Sequence, residues 1–235
     1  MIPSVKVGGG RQRVLLQIAF AAAILFLFHR FSPWSLPSGT PVYHRPPRPS
    51  TSFPWDDIPQ RHPVESFRPL PSGKAEKIPQ IQHVFGLEKS AAKAERKRRL
   101  QAVKSSFNHA WEGYVQHAWF EDEVKPLSGE AHSFLGDWAG TAVDALDTLW
   151  IMENYTEFER VVKAIEKKDF TNPSKDIVMV FETTIRIMGG FLGAYDLSGA
   201  QYPILLAKAQ EMGEMLYGAF DTPNRMPASW WKWKE

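Results

Sequence analysis

The 235-residue chain contains no cysteine. Thiol nucleophiles, cysteine-ligated zinc and internal disulfides are therefore excluded within these residues, and the redox compartment leaves no mark on them. Nor does either sign of charge predominate. With 28 basic and 26 acidic residues the formal charge is +2, which gives no basis for a nucleic-acid surface. Strand-like alternation and hairpin signals are also missing, which points away from a β-rich fold. Long apolar runs are confined to one place, Val14–Phe28, broken only by Gln17.

That run is preceded by Arg11 and Arg13 and closed by His29 and Arg30. It is short against the roughly 17–25 residues of a spanning helix, but flanking arginines can snorkel. The rival is a cleaved signal peptide. "HRFSPWSLP" follows the run where a small-residue cleavage site would stand, which favours an uncleaved anchor over residues 1–31. The leading arginines keep the N-terminus cytoplasmic and make the rest lumenal. From residue 32 to 80 proline is dense and no helical period survives, so this stretch reads as an extended stem.

Residues 81–235 read as helical. "EKSAAKAERKRRLQAVKSSFNHAWEGYVQHAW" predicts a helix whose basic cluster, Arg96–Arg99, is a solvated face. A second helix is expected from Trp138 to Met152. Thr156 and Glu159 have capping-box spacing ahead of "FERVVKAIEKK", another helix is expected from Val180 to Gly199, and Pro203 opens the last. Short loops between such helices indicate stacked helical hairpins, as in a bundle, a solenoid or an α/α toroid. Trp230, Trp231 and Trp233 read as core residues more than as sugar-stacking faces.

Two acidic patterns interrupt this apolar plan. In "VFETTIRIMGG" Glu182 and Arg186 stand four residues apart, on a helix stripe shared with Gly189 and Gly193. An i, i+4 surface pair is the plain reading. Helical glycine costs about 1 kcal/mol relative to alanine, so Gly189, Gly190 and Gly193 suggest a close approach to this helix. In "GTAVDALDTLW", Asp144 and Asp147 fall on a stripe with Gly140, Thr141 and Thr148, with no basic residue within four positions. The aspartates either face water or line a polar cavity together with Glu182. Paired carboxylates in a cavity are the equipment of glycoside hydrolysis, where one protonates the leaving oxygen and another activates water.

Four segments then carry a resemblance. "WEGYVQHAWFEDEVKPLSG" from Trp111, "VDALDTLWIM" from Val143, "VFETTIRIMGGFLGAYDLSG" from Val180 and "AFDTPNRMP" from Ala219 occur in an order and spacing similar to the class I α-1,2-mannosidases, glycoside hydrolase family 47. The resemblance implies an all-α, partial (α/α)7 barrel over residues 81–235. It further implies Ca²⁺ dependence and inverting removal of α-1,2-linked mannose from high-mannose N-glycans. It gives Glu182 as the proton donor, Arg186 as a sugar-subsite residue, and Asp144 and Asp147 as acids that order the site. Because an acid near neutral pH is helped by burial, Arg186 is expected to address substrate or a bridging water more than Glu182 itself.

By the same resemblance, the water-activating carboxylate and the calcium ligand are expected beyond Glu235, so the chain alone is expected to be an inactive fragment. "FLGDWAGTAVD" departs from the family pattern and leaves Asp137 unexplained. A non-hydrolytic, mannose-binding quality-control protein of ER-associated degradation stays open as an alternative, as does a membrane-tethered helical interaction module. The anchor and stem imply a type II protein of the ER or Golgi membrane, and Asn154-Tyr155-Thr156 is an acceptor triplet for lumenal N-glycosylation.

Overall fold

The computed structural model describes residues 53–66, 69, 72–73, 77 and 79–234. The apolar run Val14–Phe28 lies outside the described residues, as do Arg11, Arg13 and most of the proline-rich stretch. Among the described residues no helix is long and apolar enough to cross a membrane.

The first helix, α1 (Ser90–His117), runs 28 residues but buries only Trp111 and Tyr114. Its N-terminal half is a solvated face, as its composition suggests: Glu95 bonds Arg98 and Arg99 within the helix, and Glu88 bonds Arg96. Such exposed pairs add only a few tenths of a kcal/mol each. What fastens α1 to the rest is its C-terminal half. The indole of Trp111 donates to Glu157 Oε2 at 2.9 Å, and the buried Tyr114 hydroxyl donates to the Glu121 carbonyl at 2.8 Å.

The helix expected from Trp138 to Met152 forms as two pieces, α2 (Gly140–Asp144) and α3 (Leu146–Ile151), broken at Ala145 where ψ relaxes to −5°. Its start is delayed because Asp137 and Ala139 adopt left-handed backbone, φ 63° and 56°. Non-glycine residues hold such angles only where the surroundings over-determine them. Here the surrounding is Asp122, a fully buried carboxylate. Its Oδ2 accepts the amides of Leu135, Gly136 and Asp137 at 2.8, 3.0 and 3.1 Å, and its Oδ1 accepts the amide of Gly140 at 3.1 Å. Its own carbonyl takes the Thr141 amide and hydroxyl. One side chain thus shapes the loop that leads into α2 and satisfies donors a helix start leaves open.

Helix α4 (Tyr155–Lys167) is amphipathic and buries Phe158, Val161, Val162 and Ile165. Asn154 occupies its N-cap position without a side-chain capping bond, so the capping box suggested by Thr156 and Glu159 is not formed. The expected Val180–Gly199 helix is continuous to Leu197 but changes winding: α5 (Val180–Glu182), a π-helical turn (Thr183–Met188) and α6 (Gly189–Leu197). The Gly189 amide reaching the Thr184 carbonyl, five residues back, marks the widened turn. Pro203 does open the last helix, α7 (Pro203–Tyr217). Helices α3, α4, α6 and α7 enclose a core of Leu146, Leu149, Phe158, Ile165, Phe191, Leu205 and Met212.

Two small antiparallel ladders, unannounced by any alternation, complete the frame. β1 (Glu123–Val124) pairs with β2 (Ala131–His132), and β3 (Ile177–Met179) pairs with β4 (Trp230–Lys232) in the register Val178↔Trp231. β3 leads without a loop into α5, and the Val180 amide bonds the Ser229 carbonyl. Trp231 and Trp233 pack against the core, as their sequence reading holds, whereas Trp230 is 68% exposed.

Part of the proline-rich segment lies on this helical unit. Trp55, 8% exposed, donates its indole N–H to the Thr171 carbonyl at 2.7 Å, and the Phe53 amide donates to Thr171 Oγ1 at 2.8 Å. Farther along, Asp221 accepts the amides of Arg61 and His62 at 2.6 and 2.7 Å. The Arg61 amide bond, followed by that of His62, holds the Asp221 carboxyl below the usual aspartate range. A depressed folded-state value stabilises the contact above the unfolded value of about 3.9 and loses that contribution as pH falls below it, through the folded-state value. Acidification below about pH 4 should therefore loosen this attachment. The emission difference between the chain and its Trp55→Phe variant reports the change, and Asp221→Asn should abolish its pH dependence. An unchanged difference between pH 5 and pH 2 would contradict the assignment.

Candidate active site

Glu182 ends α5, Arg186 lies in the π-helical turn, and Asp144 ends α2, 42 residues earlier in the chain. The structure joins all three. Arg186 Nε donates to Glu182 Oε2 at 2.6 Å, and Nη1 donates to Asp144 Oδ2 at 3.0 Å. The guanidinium is held more basic than usual, by the Glu182 bond first and the Asp144 bond second. All three side chains remain reachable from solvent, 33–43% exposed.

Arg186, expected to address substrate or a bridging water more than Glu182 itself, bonds Glu182 directly. Two different edges of the planar guanidinium are committed to two carboxylates, and such charge-assisted bonds suit arginine for holding oxygen acids in fixed orientation. Glu182 Oε2 is occupied, while Oε1 takes no hydrogen bond among the described residues. Asp147, half-buried on α3, accepts the hydroxyl of Thr148 at 3.1 Å and does not join the cluster.

The helix backbone explains why the cluster forms here. A Cβ built on Gly190 would stand 2.7 Å from the Val143 carbonyl oxygen, so only glycine lets α2 approach this helix closely. That approach places Asp144 beside Arg186. The close contact expected from the glycines is therefore real, but it falls on Gly190. Around Gly193 a Cβ would meet nothing within 4 Å, and at Gly189 only the Thr184 carbonyl at 3.5 Å. The Glu182 stripe is open along its length.

Asp137 also finds its place. Its amide serves the Asp122 carboxylate, and its own carboxyl is held below the usual range, chiefly by the Ser133 hydroxyl. Sequence reading missed Asp122, which sits in the charged run "FEDEV" and carries no mark of burial. It also missed Thr183, fully buried beside Glu182 with a hydroxyl that has no hydrogen-bond partner among the described residues. Among the described residues no group of three histidine or acidic side chains is placed to hold a metal ion. Calcium takes six to eight oxygen ligands, and the described residues gather no acidic set that fits it.

The helical scaffold thus presents a guanidinium-tied carboxylate on an open stripe. The model of glycosyl hydrolase family 47 matches residues 106–235, more than half of the chain, and the chain belongs to that family. It is 38% identical over 139 residues to a probable mannosyl-oligosaccharide alpha-1,2-mannosidase 1B of Aspergillus fumigatus, covering 55% of this chain and 28% of that protein. It is 45% identical over 135 residues to the human endoplasmic reticulum mannosyl-oligosaccharide 1,2-alpha-mannosidase, covering 56% of this chain and 18% of that one. Among solved structures, an alpha-1,2-mannosidase from Trichoderma reesei superposes with a TM-score of 0.53 at 27% identity, over 57% of this chain and 30% of that chain. The helical architecture accordingly matches part of the α/α barrel of that neighbour. The chain spans less than a third of the length of each of these relatives.

Proposed function

We propose that this chain carries the proton-donor part of an α-1,2-mannosidase, with Glu182 as general acid toward α-1,2-linked mannose on N-glycans. The observation that carries this reading is the Glu182–Arg186–Asp144 cluster on the open stripe, inside the segment matched by the family model. Arg186 fixes one oxygen of Glu182, so the other can carry the proton to the glycosidic oxygen as the C–O bond breaks. Asp144 holds the far edge of the guanidinium and thereby orients Glu182 at second hand. Inversion requires a second carboxylate that activates water on the opposite face of the sugar. That partner, a seven-hairpin closure of the barrel and the Ca²⁺ ion are assigned to the remainder of a family-length catalytic domain. Asp147 stands on the neighbouring helix as a further acid for substrate hydroxyls.

A membrane-anchored, lumenal setting in the ER or Golgi belongs to the same proposal. It is supported by the arginine-flanked run Val14–Phe28 and by the Asn154-Tyr155-Thr156 triplet, whose Tyr155 and Thr156 are exposed at the start of α4. The mannose-binding, non-hydrolytic alternative gains no support from the relatives described above, which are named as mannosidases.

The site reading is tested in a chimaera in which residues 106–235 replace the matching segment of the human enzyme. There Arg186→Ala should weaken α-1,2-mannobiose binding about tenfold, or about 1.4 kcal/mol, by titration calorimetry. Unchanged affinity in a folded variant would remove Arg186 from the sugar subsite.

A further inference from the structure

The proline-rich segment touches the helical unit at two separated points, and between them a cleft of about 1060 Å³ lies against α7 and β4. At the first point Trp55 is the anchor. It sits 5.4 Å from Trp231 and 5.6 Å from Trp233, centroid to centroid, with Phe53 packed beside it at 4.4 Å and tilted by 45°. At the second, Asp221 grips the Arg61 and His62 amides, and Arg225 donates through Nη2 to the Pro63 carbonyl at 2.7 Å and through Nη1 to the His62 carbonyl at 2.5 Å. Most of these bonds are to main-chain groups of the segment. The anchor itself sits in a short 3-10 turn, Trp55–Asp57, and main-chain bonds around a buried aromatic anchor are one way proteins recognise peptides.

By contrast, the stretch that leads directly into α1 has no such hold. Residues 80–88 form no helix or strand and are exposed throughout, with Ile81 91% and Leu87 105% exposed.

We propose that the helical unit carries a peptide-docking groove whose occupant is this chain's own Phe53–Pro63 segment, and that the segment stays docked without the covalent link through residues 64–89. The groove belongs to α7, the turn around Asp221 and β4, apart from the Glu182 stripe. Its role is mechanical: the point at which the helical unit is tethered is Phe53 rather than the start of α1. A chain leaving toward the expected anchor then spans about 22 residues, roughly 70 Å when extended, against about 60 residues without docking. A cut in the exposed 80–88 stretch would leave the helical unit tethered.

The test uses the full chain in detergent, with a site-specific protease sequence replacing Gln82–Leu87. After cleavage the N-terminal piece should co-elute with the helical piece in gel filtration, and Trp55→Ala combined with Asp221→Ala should release it. Arg225→Ala, a surface change that leaves the core intact, should raise the released fraction at least severalfold. Release from the otherwise unaltered cut chain would overturn the proposal. So would co-elution that persists in both variants, since shared micelles or another surface would then hold the pieces.

Discussion

Glu182→Gln in the family-length chimaera should lower turnover of α-1,2-mannobiose by about two to four orders of magnitude. The amide keeps the size of the carboxyl and can keep the Arg186 Nε–H bond through its carbonyl oxygen, so the arrangement of α5 and the π-helical turn is preserved. What it cannot do is transfer a proton to the departing oxygen. Binding of mannobiose should therefore survive the change within a few-fold, and the loss should appear in turnover. Thermal melting of the variant checks that the fold is intact. Near-normal turnover in a folded variant would take the donor role away from Glu182.

Asp122→Ala should be the most damaging single change to the fold. Three buried amides, those of Leu135, Gly136 and Gly140, and the partly buried amide of Asp137 lose their acceptor at once. Each orphaned donor costs about 1–3 kcal/mol, though neighbouring losses do not add in full. A total of about 4–5 kcal/mol is expected, close to the whole stability of a marginal domain. The left-handed angles of Asp137 and Ala139 would lose their restraint in the same step. Asp122→Asn keeps one acceptor oxygen and should fall in between. Urea denaturation monitored by circular dichroism gives the comparison, and a loss under about 1 kcal/mol for alanine would show that the loop is held by something else.

What could be read ahead of the structure follows from which interactions are local. Pro203 at the start of α7 is a local signal, and the structure realises it. The Glu182–Arg186 pair was legible for the same reason, since four residues on a helix are neighbours. Asp144 was placed at the site as well, but its contact with Arg186 was not legible. Asp144 reaches Arg186 across 42 residues, through a contact that depends on Gly190 lying under Val143, and no spacing rule encodes that. The π-helical turn was equally hidden, because it differs from an α-helix only in which carbonyl each amide chooses.

Asp122 and Trp55 were missed for a common cause. Each lies in a stretch whose composition suggests solvent, and each is buried by partners far along the chain. Asp122 meets the 135–140 loop only after the chain has turned through β1 and β2, and Trp55 meets Thr171 across 116 residues. Burial of a polar or isolated aromatic residue is decided by tertiary structure, and a local window cannot report it.

General acid catalysis by Glu182 has a consequence that no structural role shares: the requirement for it should vanish when the leaving group needs no proton. The most direct measurement is therefore the turnover of α-mannosyl fluoride and of α-1,2-mannobiose by the same Glu182→Gln chimaera. The fluoride should be cleaved at a rate within about tenfold of the unsubstituted chimaera while the disaccharide loses two to four orders of magnitude. Equal losses on both substrates, in a variant that still melts as one folded unit, would contradict the assignment of Glu182 as the proton donor.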